Sequence, residues 1–223
     1  MTETLSGPMV APKSGAMPKQ VVVLLHGYGS DGRDLIGLAG YWRDILPEAL
    51  FVSPNAPWPC DAFAAGFQWF PVDPDRPGFR LEGVAAARPV LLKFLEDLWA
   101  QTGLGPADTI LAGFSQGAMM ALNVGLTLDR AVLGIIGFSG ALIVPPGWLE
   151  EAGPKPPVAI IHGDADTVVD PELGQQAVAL LKAKGIEVAY HVDPGSGHTI
   201  APAGLAFASG FIEGLLHAGK PVT

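Results

Sequence analysis

The stretch TILAGFSQGAMMALNVG, from Thr109 to Gly125, joins two patterns that require different backbone structures. Its first six residues form a short apolar run typical of a buried strand, whereas residues 116–128 have the pattern of a helix. Between them stands Gly-Phe-Ser-Gln-Gly, a G-x-S-x-G in the strand–turn–helix setting of a nucleophile elbow. So sharp a turn excludes bulky side chains two positions before and after the serine, and both positions hold glycine. The stretch predicts that an α/β fold presents Ser115 as a nucleophile at a helix N-terminus.

Apolar runs like the one before Ser115 recur along the chain and predict further strands. With 109–114 they cover residues 20–26, 49–54, 132–140, 157–163 and 187–192. Their apolar character is continuous rather than alternating, which indicates strands covered on both faces. Helical patterns lie between them, at 116–128, 171–184, 204–217 and around 84–98, where Pro89 implies a kink or a late start. Strands that alternate with helices predict a mostly parallel, twisted sheet with helices on both faces.

The composition indicates one acidic domain. The 223 residues are 49% hydrophobic, enough for one sizeable core, and a formal net charge of −9 disfavours nucleic acid as a partner. Residues 1–20 are rich in Pro, Gly and Ser and predict a flexible N-terminal arm, with residues 21–223 as a single domain. The start lacks the apolar segment of a secretory signal, and no run is long enough for a transmembrane helix. A single cysteine, Cys60, excludes an internal disulfide, so we expect a cytoplasmic protein.

A serine hydroxyl needs a base to accept its proton and a third group to orient that base. On this architecture both should follow at the C-terminal ends of later strands. Among the five histidines, His198 lies in the Gly-rich segment PGSGHTI after the last predicted strand, and it is the predicted base. The other four are predicted to be structural: His26 and His162 at strand ends, His191 within a strand, and His217 in the last helix.

The orienting acid is predicted to lie in HGDADTVVD, the loop after the strand at 157–163. Asp164 and Asp166 could both reach a histidine from that loop, and the residues alone do not rank them. Asp170 is followed by proline, which favours a role as the N-cap of the next helix.

Two other glycine-rich stretches compete with this assignment. LLHGYGSDGRD, Leu24–Asp34, contains the G-x-G-x-x-G of a dinucleotide-binding turn. That interpretation requires an acid at the end of the next strand, where Ser53 and Pro54 stand instead. The acids Asp31 and Asp34 would also face a pyrophosphate with like charge. In the second stretch, Gly-Phe-Ser-Gly-Ala, alanine replaces the second glycine of the elbow, so Ser139 is predicted to be a strand-end residue near the site.

Together the segments LLHGYGSDGRDL, PNAP, AGFSQGAMMAL, HGDADTVV and GSGHTI resemble the α/β-hydrolase family of small bacterial carboxylesterases, lysophospholipases and acyl-protein thioesterases. The resemblance covers nearly the whole chain after residue 20. It implies an α/β-hydrolase fold without a large lid domain and a triad of Ser115, Asp166 and His198. Asp164 then becomes a neighbour that stabilises the loop.

The same resemblance implies that the backbone amides of Tyr28 and Gln116 form the oxyanion hole, and that no metal or cofactor takes part. The segment QWFPVDPDRPGF resembles an aromatic patch of the family, so Trp69 and Phe70 are candidate walls of an acyl pocket, with a core role as the alternative. The sequence departs from the family where Val-Val-Asp-Pro replaces Val-Pro, and where Pro71, Pro74 and Pro77 extend the aromatic patch. A homodimer is implied by the resemblance alone.

These residues predict a serine hydrolase that cleaves small carboxylic esters of short-to-medium acyl chains through an acyl-enzyme. An acyl-protein thioesterase or a lysophospholipase is the alternative, because thioesters and lysophospholipids present a carbonyl to the same triad. A relative of dienelactone hydrolase would carry cysteine at the elbow, whereas Cys60 lies in the Pro-rich loop PWPCD. A non-catalytic binding protein of this fold would usually lack a triad member.

Overall fold

The structure, a computed structural model, describes residues 5–73, 75–76 and 78–218. The strands of this part of the chain are β1 Met9–Val10, β2 Gln20–Leu25, β3 Ala49–Val52, β4 Trp58–Pro59, β5 Phe67–Gln68, β6 Thr109–Phe114, β7 Gly134–Phe138, β8 Val158–Gly163 and β9 Val188–Asp193. Its α-helices are α1 Gly32–Leu35, α2 Ala39–Trp42, α3 Phe79–Thr102, α4 Gln116–Leu126, α5 Pro171–Ala183 and α6 Pro202–Ala218. Short 3₁₀ turns occupy Ile36–Leu38 and Pro106–Asp108.

Seven of the strands form one sheet in the order β1-β3-β2-β6-β7-β8-β9. Every neighbouring pair is parallel except β1 with β3, which is antiparallel. All six predicted strands are present within about two residues of their expected ends, and the predicted mostly parallel architecture is confirmed.

Two hydrophobic cores form because successive side chains of a strand point to opposite faces. In β2, for example, Val21 and Val23 belong to one core, whereas Val22 and Leu24 belong to the other. The first core is closed mainly by α3, α4 and α5, and the second by α1, α2 and α6. Helices therefore cover both faces, which explains the continuous apolar character of the strands.

The strand register places the ends of the central strands side by side. Leu25 is paired with Gly113, Phe114 with Phe138, and Phe138 with Ile161. In a parallel sheet the loops that follow these strands emerge at one edge. The segments that hold the predicted site residues after β2, β6 and β8 are therefore neighbours, although they are far apart in sequence.

The N-terminal segment differs from the expected flexible arm at the residues that the structure describes. Met9 and Val10 pair with β3, and further along the Ser53 amide donates to Pro8 O and the Asn55 amide to Ser6 O. Leu5 is buried in the first core. The edge of β3 explains the difference, since a strand edge offers unpaired N–H and C=O groups to which an extended segment can hydrogen-bond. The boundary of a single domain at residues 21–223 stays a prediction.

Two Pro-containing regions also differ from their sequence patterns. The segment PNAPWPCD, expected to be a loop, contributes Trp58–Pro59 to a small antiparallel hairpin with Phe67–Gln68. Helix α3 begins at Phe79, well before Pro89, so the expected late start is wrong. Its side chains at Val84, Leu91 and Leu95 are fully buried, and this packing offsets the hydrogen bond that proline removes. Of the prolines in the expected loop after Trp69, Pro74 and Pro77 lie outside the described residues.

Candidate active site

Ser115 occupies a strained turn between β6 and α4. Its φ of 55° and ψ of −117° lie outside the regions that residues with a side chain ordinarily adopt. A Cβ on Gly113 would lie 2.3 Å from the backbone of Gly117, and a Cβ on Gly117 would lie 1.8 Å from Leu25 O. Both glycines are therefore required by close backbone approach, as the G-x-S-x-G pattern predicted. Strain of this kind persists at functional sites, where the surrounding structure holds it in place.

The loop after β2 passes directly beside this serine. A Cβ on Gly27 would lie 3.3 Å from the Ser115 Cβ, so a larger residue there would crowd the Ser115 side chain. The Ser115 amide donates to Phe138 O at 2.9 Å, which fixes the turn to the neighbouring strand. Ser115 also precedes the first turn of α4, where the helix dipole favours negative charge.

His198 and Asp166 form a hydrogen-bonded pair at the same edge of the sheet. His198 Nδ1 lies 2.7 Å from Asp166 Oδ2, and because a carboxylate only accepts, Nδ1 carries the proton. This tautomer leaves Nε2 as the ring's proton acceptor. The imidazole packs against Phe114, the residue before Ser115, with ring centroids 4.7 Å apart. The structure thus brings the predicted base and acid together beside the elbow.

The Asp166 carboxylate is buried, and its other oxygen is fixed as well. Oδ1 accepts the amides of Val168 and Val169, both at 2.9 Å. Burial by itself raises the pKa of Asp166, but the hydrogen bonds from His198, Val169 and Val168 outweigh it and hold that pKa below its ordinary value. Asp166 is therefore ionised at neutral pH and has one oxygen free to orient the imidazole.

The two other acids of this loop have different partners. Asp164 Oδ1 accepts the Gly195 amide at 2.6 Å, which ties the acid loop to the turn that precedes His198. Asp170 accepts the Glu172 amide and caps α5, as its position before Pro171 predicted. The contacts separate Asp164 from Asp166, which the residues alone did not rank.

Two backbone amides face no acceptor near Ser115. The amides of Tyr28 and Gln116 make no hydrogen bond to any residue that the structure describes. Tyr28 follows Gly27 in the loop beside the serine, and Gln116 is the first residue of α4. Free amides at a helix N-terminus and in an adjoining loop are the groups from which oxyanion holes are built.

The peptide that carries the Tyr28 amide is oriented by His26, which is completely buried. His26 Nε2 accepts the Ala56 amide at 2.9 Å, so its proton resides on Nδ1, which donates to Gly27 O at 2.8 Å. Fixing Gly27 O also fixes the Tyr28 N–H of the same planar peptide, which points the opposite way. These backbone contacts agree with the structural role predicted for His26.

We expect His26 to make the fold sensitive to mild acid. Burial lowers its pKa below 6.5, against the opposing effects of Gly27 O, Asp31 and Asp34. The unfolded chain therefore binds this proton near pH 6.5 whereas the folded chain resists it, so stability is full above that pH and falls as the pH drops below it. Urea unfolding between pH 7.5 and 5.5 should show a shallower loss of stability for His26→Gln than for the wild type. The exposed His217→Gln serves as the matched control, and parallel curves for wild type and His26→Gln would contradict the assignment.

Trp69 and Phe70 lie in the interior rather than on an open surface, with exposed fractions of 0% and 1%. The Trp69 indole N–H donates to His26 O at 2.9 Å, and the Phe70 ring packs against Gly83 of α3. This burial favours the core interpretation of the pair. Their role as walls of an acyl pocket stays a prediction.

The remaining histidines and Ser139 lie where the sequence suggested. His162 Nε2 contacts Val169 O, His191 lies in β9 and contacts Asp193, and His217 contacts Glu213 O in α6. Ser139 follows β7 and has a positive φ of 47°, with its amide bound to Ile161 O. None of these side chains makes a hydrogen bond to the pair of His198 and Asp166. His162 Nε2 lies 3.4 Å from Asp166 Oδ2, but its hydrogen bond is to Val169 O.

A cleft of about 310 Å³ opens beside His198. Its walls combine apolar side chains, those of Leu35, Leu38, Phe114, Ile200 and Leu205, with the polar residues Asp34, Tyr41, His198 and Thr199. Clefts that bind small molecules span roughly 300–1,000 Å³, so this one is at the small end. No helix of the described part of the chain is both long and apolar enough to cross a membrane.

Comparison with known proteins agrees with this geometry. Residues 7–216 match the family model described as phospholipase/carboxylesterase. The crystal structure of esterase PE8 is similar, with 52% sequence identity, a TM-score of 0.91 and coverage of 96% of this chain and 100% of that chain. Acyl-protein thioesterase 1 of Eremothecium gossypii is 33% identical over 91% of both chains. Esterase YpfH of Escherichia coli is 29% identical over 85% of this chain and 80% of its own. The family match covers almost the whole length of the chain, and the strained serine and the histidine–aspartate pair are consistent with it. The chain therefore belongs to the phospholipase/carboxylesterase family of α/β-hydrolases.

Proposed function

We propose that this protein hydrolyses carboxylic esters of short-to-medium acyl chains through the triad Ser115, His198 and Asp166. Family membership makes the chain a hydrolase that acts on ester bonds. The observation that carries the finer proposal is the His198–Asp166 pair, with its 2.7 Å hydrogen bond, at the same edge of the sheet as the strained Ser115. A buried carboxylate that fixes the tautomer of a histidine next to a strained serine matches the triad of acyl-transfer enzymes.

In the first step Ser115 Oγ attacks the ester carbonyl carbon while His198 Nε2 takes the hydroxyl proton. The carbonyl oxygen becomes an oxyanion that the amides of Tyr28 and Gln116 stabilise. The carbon–oxygen bond to the leaving alcohol then breaks, and His198 returns its proton to that alcohol. In the second step His198 takes a proton from water while the water oxygen attacks the acyl carbon. The bond from that carbon to Ser115 Oγ then breaks, His198 returns the proton to Oγ, and the carboxylic acid is released. No metal or cofactor is required by these steps.

Chain-length preference is the first test of this proposal. The small cleft beside His198 supports short acyl groups or small alcohols, because a long chain would leave much of its apolar surface in water. For p-nitrophenyl esters from acetate to palmitate, kcat/KM should be highest between acetate and octanoate. A maximum at palmitate would overturn the short-to-medium preference without affecting the triad. Prior labelling with a fluorophosphonate should abolish the hydrolysis, and a chain that resists labelling would favour the non-catalytic binding protein.

A thioesterase is the second candidate, and one observation favours it. Acyl-protein thioesterase 1 of Gibberella zeae is 29% identical and aligns over 92% of this chain and 94% of its own. An oxygen ester and a thioester with the same octanoyl group would distinguish the two functions, since the acyl contacts are held constant. A lysophospholipid of the same acyl length extends the comparison to the third substrate class. The homodimer that the sequence resemblance implies stays a prediction.

A further inference from the structure

The segment Phe67–Phe70, here called the strap, is hydrogen-bonded to the loop after β2. The Gly29 amide donates to Phe67 O at 2.9 Å, and the Phe67 amide donates to Ser30 O at 2.8 Å. The Trp69 indole adds its bond to His26 O at 2.9 Å. These three bonds lie on both sides of Tyr28, so the strap fixes the loop that carries the first oxyanion amide.

The strap is also bound to the start of α4, through the side chain of Gln116. The Trp69 amide donates to Gln116 Oε1 at 3.1 Å, and Gln116 Nε2 donates to Phe70 O at 2.8 Å. Gln116 is only 4% exposed, so these bonds are shielded from water. A buried primary amide thus pairs with the strap as a neighbouring strand would, with one bond accepted and one donated.

We infer that the Gln116 side chain is a positioning residue, which sets the separation of the Tyr28 and Gln116 amides through the strap. The two amides follow different strands: Tyr28 lies in the loop after β2, and Gln116 is the first residue of α4, which follows β6. The strap is hydrogen-bonded to both segments, and Gln116 is its attachment on the α4 side. The inference rests on the proposed function, in which both amides stabilise the oxyanion.

The positions of the two amides matter because oxyanion stabilisation is sensitive to small displacements of its hydrogen-bond donors. Removing one oxyanion donor costs about 10²–10³-fold in kcat, and a displacement of about 1 Å can cost about 10²-fold. A methionine at position 116 has nearly the length of glutamine and keeps the backbone amide, but it removes both side-chain bonds to the strap. We therefore expect Gln116→Met to lower kcat by about 10–10²-fold, with KM changed by less than about threefold, because the loss appears when the oxyanion forms.

The matched control is Asn123→Leu on the same helix. Asn123 is also 4% exposed, and its Nδ2 donates to Ile143 O at 2.7 Å, two turns beyond Gln116. This control removes a buried amide and one backbone hydrogen bond without touching the strap. We expect it to lower Tm while kcat stays within about threefold of wild type. A merely structural role of Gln116 would give Gln116→Met the same profile as this control.

A second variant tests the attachment of the strap to the loop after β2, which is the Trp69 indole bond to His26 O. Trp69→Phe keeps an aromatic ring in the core but removes the indole bond to His26 O. If both bonds act through one strap, the double variant Gln116→Met/Trp69→Phe should lose little more activity than the more severe single variant. Losses that multiply would mean that the two residues act independently, and the inference would be wrong.

The experiment measures kcat and KM for p-nitrophenyl butyrate, and the inhibition constant of a trifluoromethyl ketone that forms a tetrahedral adduct at a reactive serine. For Gln116→Met the inhibition constant should rise by the same factor by which kcat/KM falls. An unchanged kcat in a folded Gln116→Met protein would overturn the inference and leave the proposed function intact. Wild-type hydrolysis that does not require Ser115 would instead overturn the proposed function, and this inference with it.

Discussion

Replacement of Ser115 by alanine should lower kcat for p-nitrophenyl butyrate by about 10⁴–10⁶-fold. In the proposed mechanism the hydroxyl forms the covalent bond to the acyl group, so its loss removes the acyl-enzyme route entirely. What remains is the contribution of the oxyanion amides and substrate binding, about 10³–10⁴-fold over water in triad enzymes. Alanine tolerates the turn at least as well as serine does, so Tm should change little. Steady-state rates together with fluorophosphonate labelling of both proteins measure the effect.

Ser139→Ala is the matched control for this loss. Ser139 also has a positive φ, is buried, and directly follows the neighbouring strand β7. Its hydroxyl has no role in the proposed steps, so kcat should stay within about tenfold of wild type. If Ser115→Ala kept more than about one per cent of the activity, or if Ser139→Ala lost as much, the nucleophile would be assigned wrongly.

The central strands and the elbow could be predicted because their signals are local. Residues 109–114 are an uninterrupted apolar run, and the structure forms β6 over the same residues. Gly113 is required by its contact with Gly117 across the turn, and the tight-turn argument anticipates this contact without coordinates. Gly117 is also a predicted glycine, but the contact that requires it is with Leu25 O of the neighbouring strand β2.

Features that depend on a distant partner could not be predicted in the same way. Met9–Val10 becomes a strand only because the edge of β3 is free, and a two-residue strand has no periodicity of its own. In the sequence, the residue types of Trp69 and Phe70 indicated only that both side chains are apolar. Their backbone contacts with Gln116 depend on a side chain 47 and 46 residues away, respectively. A polar residue such as Gln116, predicted at the start of a mostly apolar helix, is the signal that could have suggested a buried hydrogen-bonding role.

The acid of the triad is an intermediate case. Asp164 and Asp166 are two residues apart in one loop, so the sequence allows either carboxylate to reach a histidine. Family resemblance selected Asp166, and the contacts give an independent physical reason. Asp166 directs Oδ2 to His198, whereas Asp164 accepts a backbone amide of the loop that carries that histidine. The side-chain directions favour Asp166 as the acid of the proposed triad, and sequence spacing does not contain these directions.

Asp166→Asn should therefore lower kcat by about 10³–10⁴-fold, the loss expected when the base of a triad is held in the wrong tautomer. The hydrogen bonds at Asp166 Oδ1 determine how the asparagine side chain must be oriented. Because the amides of Val168 and Val169 both donate to that oxygen, an asparagine must place its carbonyl there and turn its NH₂ group toward His198. The ring nitrogen Nδ1 then has to accept, the proton moves to Nε2, and Nε2 can no longer take the proton of Ser115. The fold should be retained, since both amides keep their acceptor.

The neighbouring acids provide matched controls for this variant. Asp164→Asn keeps an acceptor for the Gly195 amide, and Asp170→Asn keeps a good N-cap for α5, so each should retain kcat within about tenfold. All three variants remove one carboxylate from the same loop and so change the net charge equally. A loss confined to Asp166→Asn would be a loss of orientation at His198 rather than of charge near it. If Asp164→Asn showed the larger fall instead, the acid would be Asp164, and the 2.7 Å contact between His198 and Asp166 would have to open during the reaction.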